Sequence, residues 1–163
     1  LDLTFTLTNV TEVPLAFASP ATNGRPGAGY GGFFWRAPPV DGHVAVLGPE
    51  GRRGERGLHG QRAAWLAVAA RAWTLIFVPA DVRTGEDRWF VRASDYVGVG
   101  SSLAWDRPLV LAPGAALRRR IITVVCDGTV PVGRVALVGW VPDVRVLVGG
   151  HFSPSSRCCD SSA

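Results

Sequence analysis

The stretch Asn23–Arg36, NGRPGAGYGGFFWR, decides which fold class the sequence predicts. Gly27, Gly29 and Gly32 fit the spacing of a dinucleotide-binding motif, which needs a strand before it and a helix after it. Pro26 and the following FFWRAPP instead predict a tight glycine-rich loop that leads into a short strand. Glycine permits positive φ and close backbone contact, so the aromatic cluster behind the loop predicts one wall of a shaped surface.

Short apolar or alternating segments separated by Gly, Pro and Asp recur along the chain, and helical periodicity is hard to find before residue 128. This texture predicts an all-β fold, an antiparallel β-sandwich. The predicted strands are Leu1–Thr8, Val13–Ala18, Gly32–Arg36, His43–Leu47, Arg88–Ala93, Leu109–Leu111 and Ala115–Cys126.

The segment Ala63–Ala80 is apolar except for Arg71, and its length approaches that of a membrane-spanning helix. An arginine at the centre of such a helix costs about 2.5–3.5 kcal/mol on insertion scales, and Pro79 lies near the end. Two buried strands hinged near Arg71 are therefore predicted, with no membrane partner. The polar segment Pro49–Gln61 is predicted to be a surface loop.

The 163 residues suffice for one domain. We predict a β-sandwich over residues 1–128, followed by an atypical segment, 129–163, that is mobile from about residue 153. Because the chain starts in strand-like alternation at Leu1 without a methionine, we expect it to be a fragment of a larger protein.

All 17 basic residues are arginines, and the net charge is +4. The arginine clusters, Arg52–Arg56 and Arg118–Arg120, are isolated, which is typical of a solvated surface, so no nucleic-acid partner is predicted. Cys126, Cys158 and Cys159 form no disulfide framework and lack zinc-ligand spacing, which favours a reduced, cytoplasmic protein.

Motifs for catalysis or metal binding are sparse. Asp41 and His43 offer two ligands on one strand face without an evident third, so no metal or other cofactor is predicted. Ser101 and Ser102 lack the strained elbow of hydrolases. No paired-carboxylate spacing is evident, although folding could bring Asp87 or Asp95 near another acid.

An aromatic residue beside an arginine occurs twice, in Trp35-Arg36 and in Trp89-Phe90-Val91-Arg92. Neighbours along a strand point to opposite faces, so Trp89 and Val91 share one side of their strand while Phe90 and Arg92 share the other. Such a face can line a concave site in which guanidinium groups hold a carboxylate or hydroxyls. The alternative is that Trp35 and Phe90 are core residues and that both arginines are salt-bridged.

The segments NGRPGAGYGGFFWRAP, RWFVRAS and PLVLAPGAALRRRIITVVCDG resemble the bacterial family labelled methane oxygenase PmoA-like, over about residues 1–128. That span would be the C-terminal part of a full-length member. The resemblance implies a soluble sandwich similar to galactose-mutarotase-like supersandwich proteins, and an association with carbohydrate metabolism. It carries over to five motif positions, namely Tyr30, Trp35, Arg36, Trp89 and Arg92.

The resulting prediction is a protein that binds or processes a carbohydrate or sugar acid, with isomerase or lyase-like chemistry and plain binding both open. Trp35 would stack on a sugar ring, while Arg36 and Arg92 would hold its polar groups. Two alternatives stay open: an oxidoreductase, as the family label suggests, with a metal at Asp41 and His43, and a purely structural module. The label's copper membrane enzyme would need a membrane span and a histidine-rich ligand set, which this sequence lacks.

Overall fold

A computed structural model describes residues 1–131 and residue 133 of the 163-residue chain. Within those residues the chain forms ten β-strands, two short α-helices and one 3-10 turn. The strands are β1 Asp2–Thr8, β2 Leu15–Phe17, β3 Gly32–Arg36, β4 Ala45–Leu47, β5 Leu66–Ala69, β6 Trp73–Pro79, β7 Arg88–Arg92, β8 Gly98–Ser102, β9 Leu109–Leu111 and β10 Ala116–Asp127. The helices are α1 Gly54–Leu58 and α2 Val82–Gly85, and the 3-10 turn is Pro49–Gly51.

The larger sheet has five antiparallel strands in the order β1-β10-β6-β5-β4. Its long strand β10 uses its first half to pair with β1, where Ala116 lies opposite Thr8. The second half pairs with β6, where Asp127 lies opposite Trp73. This double pairing explains why one strand needs 12 residues, whereas most others are much shorter.

The smaller sheet has three antiparallel strands in the order β3-β8-β7, and β2 pairs with β9 in a separate ribbon. Phe33, Trp89 and Val91 point from the smaller sheet into a core that also holds Phe77 and Ile121 of the larger one. The two sheets therefore face each other across one apolar layer, and the predicted all-β antiparallel sandwich is confirmed.

The opposite face of the larger sheet is also buried in part. There Ala67, Ile76, Val78 and Cys126 form a second cluster with Trp65 and other residues. Burial on both faces explains why β5 and β6 read as continuous apolar runs instead of alternating ones. The prediction of two strands hinged near Arg71 is confirmed, and no helix in the described part of the chain is long and apolar enough to cross a membrane.

The expectation of a solvated surface is wrong for one residue of the Arg118–Arg120 run. Arg119 is 7% exposed and holds Asp87 with two hydrogen bonds, Nε to Oδ2 at 2.8 Å and Nη2 to Oδ1 at 3.0 Å. Strand alternation turns this arginine inward, where Ser101 Oγ also donates to Asp87. Burial raises the pKa of Asp87, and the Arg119 guanidinium opposes that rise. Asp87, which folding could have brought beside another acid, forms this ion pair between the segment just before β7 and strand β10.

The chain continues past Asp127 along the larger sheet. Thr129 Oγ1 donates to the Ala70 carbonyl at 3.2 Å, and the buried Val130 donates its backbone N–H to Thr74 Oγ1. The predicted mobile end, with Cys158 and Cys159, lies outside the described residues.

Candidate functional site

The outer face of the β3-β8-β7 sheet, turned away from the core, is built around a central strand that carries almost no side chain. Phe34 of β3 and Phe90 of β7 lie opposite Gly100 of β8, and Arg36 and Arg92 lie opposite Gly98. A Cβ atom at Gly98 would stand 2.6 Å from Tyr96 Cε2, and one at Gly100 would stand 3.2 Å from Phe34 Cδ2. The two glycines thus let aromatic rings lie over the middle of the sheet.

The result is a concave site of about 510 Å³, which we call the arginine cavity. The glycine-rich loop before β3 closes one side of it, with Arg25 and Tyr30 at the rim. No acidic side chain and no histidine is among its lining residues in the described part of the chain. The side chains that define it are Arg25, Tyr30, Phe34, Arg36, Arg92 and Tyr96, with Phe90 beneath them.

Arg36 carries an uncompensated positive charge in this cavity. Its guanidinium carbon lies 4.6 Å from the centroid of the Tyr96 ring, and it makes no hydrogen bond or ion pair with any described residue. Arg25 is also exposed, and its side chain has one weak contact, from Nη1 to Tyr30 Oη at 3.5 Å. Two cations without an anionic partner beside exposed aromatic rings form a surface suited to an anionic ligand.

Arg92 differs because its charge is already paired. Its Nη1 lies 3.1 Å from Glu55 Oε1 and also donates to the Val91 carbonyl at 2.9 Å. Its guanidinium carbon lies 4.8 Å from the Phe90 ring centroid, so the group is held over the aromatic floor. Glu55 comes from α1 and is fixed in turn by the Ala93 N–H, which donates to Oε2 at 2.9 Å.

His59 ties the glycine-rich loop to β7 behind Arg92. Its Nδ1 accepts a hydrogen bond from the Val91 N–H at 3.1 Å, which assigns the proton of the neutral ring to Nε2, on the side of the Gly27 carbonyl. Burial, followed by the nearby Arg92 charge, lowers the pKa of His59 below its ordinary value of 6.5. The imidazole is therefore neutral at pH 7 and contacts β7 by accepting this hydrogen bond.

The loop glycines allow close contact with rings underneath, and the nucleotide motif they resemble plays no part. A Cβ at Gly27 would lie 3.3 Å from His59 Nε2, and one at Gly29 would overlap the indole of Trp105. Trp105 also packs edge-on against His59, with 4.9 Å between ring centroids. A strand, β3, follows the loop, so there is no helix terminus to hold a pyrophosphate.

The structure brings together three of the five predicted site residues, Tyr30, Arg36 and Arg92. It places Trp35 and Trp89 on the other side of the same sheet. Trp89 is 2% exposed and donates its indole N–H to the Ala63 carbonyl at 3.0 Å. Trp35 packs on Phe77 and borders a separate apolar groove of about 660 Å³ between β1 and β3.

The alternative interpretation, in which Trp35 and Phe90 are core residues and both arginines are salt-bridged, describes only part of the structure. Phe90 is buried and Arg92 is ion-paired, but Arg36 has no salt bridge with a described residue. Strand alternation places Trp35 and Arg36 on opposite faces of the sheet and keeps Phe90 and Arg92 on the same face, as the sequence rule requires.

Sequence reasoning did not assign Arg25, Glu55, His59 and Tyr96 to the site. Tyr96 has a local signal, since it lies two residues before the glycine-containing strand β8 that its ring helps to cover. Glu55 and His59 lie more than 30 residues before the residues of β7 that they contact, so no local pattern connects them.

The predicted pair Asp41 and His43 lies in an exposed segment before β4. Within residues 1–131 and 133, no three His, Cys, Asp or Glu side chains form a group that could hold a metal ion.

Fold and site thus define an antiparallel β-sandwich with an arginine- and aromatic-lined cavity on the outer face of its smaller sheet. The chain belongs to DUF6807, a family of unknown function, whose model matches residues 1–138. No curated protein and no solved structure matches the chain.

Proposed function

We propose that this chain binds a sugar acid in the arginine cavity. The observation that carries the proposal is Arg36, a cation without an anionic partner among the described residues, set in a concave site bordered by exposed aromatic rings. Its planar guanidinium can donate two parallel hydrogen bonds to a carboxylate.

The aromatic residues support the sugar part of the ligand. Tyr30 and Phe34 are 39% and 42% exposed, so part of each ring is accessible to apolar C–H groups of a sugar. The cavity volume of about 510 Å³ falls within the usual range for small-molecule sites, about 300–1,000 Å³. The Arg92 guanidinium and the tyrosine hydroxyls supply hydrogen-bond partners for sugar hydroxyls.

The lining favours binding over chemistry. A general acid or base is most often His, Asp or Glu, and none of these is among the lining residues that the structure describes. His59 lies behind the wall, where its Nδ1 accepts from the Val91 N–H and its Nε2 lies 3.2 Å from Arg92 Nη1. The proposed activity is therefore recognition of an anionic sugar.

Isothermal titration calorimetry with D-glucuronate, D-gluconate and neutral D-glucose tests the proposal. Wild-type protein is expected to bind an acid more tightly than glucose. Arg36→Gln should weaken binding of the acid by about tenfold or more, because a hydrogen bond to a charged group contributes about 1.5–3 kcal/mol.

Arg71→Gln is the matched control, since Arg71 is an exposed arginine in the β5–β6 turn, outside the cavity. Absence of acid binding by the wild type, or equal affinities for the two variants, would rule out the proposal.

A further inference from the structure

We infer that Glu55 sets the charge of the ligand, restricting the arginine cavity to sugar acids with one carboxylate. This inference rests on the proposed function. It assigns the carboxylate of the ligand to the Arg36 end of the cavity and an uncharged, hydroxyl-bearing part to the Arg92 end.

The two ends differ in how fully their arginines are already engaged. The Arg36 guanidinium has only the Tyr96 ring as a partner among the described residues. Arg92 Nη1 lies within hydrogen-bond distance of Glu55, His59 and its neighbour's carbonyl, and Nη2 lies 3.4 Å from the Gly27 carbonyl. A ligand carboxylate thus gains most at Arg36, where no internal bond has to be broken.

The Glu55 carboxylate is held in position by a contact at each of its two oxygens. One oxygen faces Arg92 at 3.1 Å and the other accepts the Ala93 N–H at 2.9 Å. Its side chain is 29% exposed and that of Arg92 is 26% exposed, so water screens their charges only in part. A second ligand carboxylate at this end would meet a neutralised arginine and a fixed negative charge.

Specificity then follows from repulsion at one end of the cavity and attraction at the other. A sugar hydroxyl at the Arg92 end avoids this penalty, because it carries no charge and can still accept a hydrogen bond from the guanidinium. Glu55 is therefore a specificity-determining residue that lies outside the cavity lining.

D-gluconate and D-glucarate are the matched probes, since both are open six-carbon chains and they differ in having one or two carboxylates. The ratio of their dissociation constants is measured by calorimetry for wild type, Glu55→Gln and Glu55→Asp. Wild type should prefer gluconate, and Glu55→Gln should shift the ratio toward glucarate by about tenfold, the effect of a 1.4 kcal/mol change. Glu55→Asp keeps the charge and should retain the wild-type preference.

Glu86→Gln is the control, because Glu86 is an exposed carboxylate paired with Arg83 away from the cavity. A Glu55→Gln ratio equal to that of Glu86→Gln, or a wild type that prefers glucarate, overturns the inference while the proposed function stands. A wild type that binds neither acid overturns both. Should Glu55→Gln fail to fold, Glu55→Ala replaces it, with the same expected shift toward glucarate.

Discussion

The two faces of the β3-β8-β7 sheet carry the same residue types in opposite surroundings. On the inner face, Trp35 and Trp89 pack against Phe77 of the larger sheet. On the outer face, Phe34 is 42% exposed and Arg36 has no ion pair with a described residue. In the dipeptide Trp35-Arg36, the tryptophan packs against the core and the arginine lines the cavity.

The difference teaches that strand alternation, and not aromatic content, decides which rings can meet a ligand. Both faces hold aromatic clusters, but only the outer one places its rings beside arginines in an open cavity. The glycines of β8 account for the contrast. Because they have no side chain, they leave a depression on the outer side of the sheet and do not disturb the packing on the core side.

Trp89→Ala and Phe34→Ala give the largest contrast in stability between the two faces. Truncating the buried Trp89 should lower the free energy of unfolding by about 3–5 kcal/mol, because a core cavity forms. Truncating the exposed Phe34 should cost about 1 kcal/mol, since only part of its ring is removed from water. Urea denaturation of both variants measures the two losses, and equal losses would contradict the assignment of the faces.

Gly29→Ala should have the next largest effect, because it disturbs the loop that closes the outer face. The added Cβ would overlap the Trp105 ring, and overpacking of this kind costs about 1–3 kcal/mol.

Gly31→Ala, in the same loop, is the control, since its Cβ would stand at an ordinary 3.8 Å from Ser19 Cβ. Thermal denaturation should show a lower melting temperature for Gly29→Ala than for Gly31→Ala. The same melting temperature for both would mean that the loop does not rest on Trp105.

Most strands were predictable because their signals are local. Alternation indicates β1, the two prolines after Arg36 mark the end of β3, and the break near Arg71 separates β5 from β6. The strand Gly98–Ser102 was missed, since GVGSS has the composition of a loop and becomes a strand only between β3 and β7. The segment 49–61 was predicted to be a loop but contains α1, whose Glu55 is positioned by contacts with a distant strand.

The candidate site was predictable to the extent that one strand could reveal it. Arg36 and Arg92 follow from the aromatic–arginine pairs, and Tyr30 follows from the glycine-rich loop. Trp35 and Trp89 were grouped with them by sequence proximity, whereas the sheet separates them by direction. The partners of Arg92 could not be found, because their contacts span 33 residues to His59 and 37 to Glu55.

The smallest expected effect concerns the electrostatics behind the outer face. It is the pH dependence of stability that comes from the titration of His59. Its pKa in the folded protein is lowered below 6.5, mainly by burial, so the unfolded chain takes up the proton first as the pH falls. The stability that His59 contributes is therefore fully present above pH 6.5 and is lost as the pH falls through the lowered pKa. Protonation would also turn Nδ1 into a donor facing the Val91 N–H and would place a second cation beside Arg92.

Urea midpoints recorded between about pH 5 and pH 8 for wild type and His59→Gln isolate this contribution, because other groups titrate equally in both. The wild type should lose more stability than the variant on acidification, and His43→Gln, at an exposed histidine, should follow the wild type. Parallel curves for wild type and His59→Gln would show that the neutral imidazole does not hold the loop to β7. The glycine-rich loop would then be held by its packing on Trp105 and by backbone hydrogen bonds such as that from the Leu103 N–H to the Gly31 carbonyl.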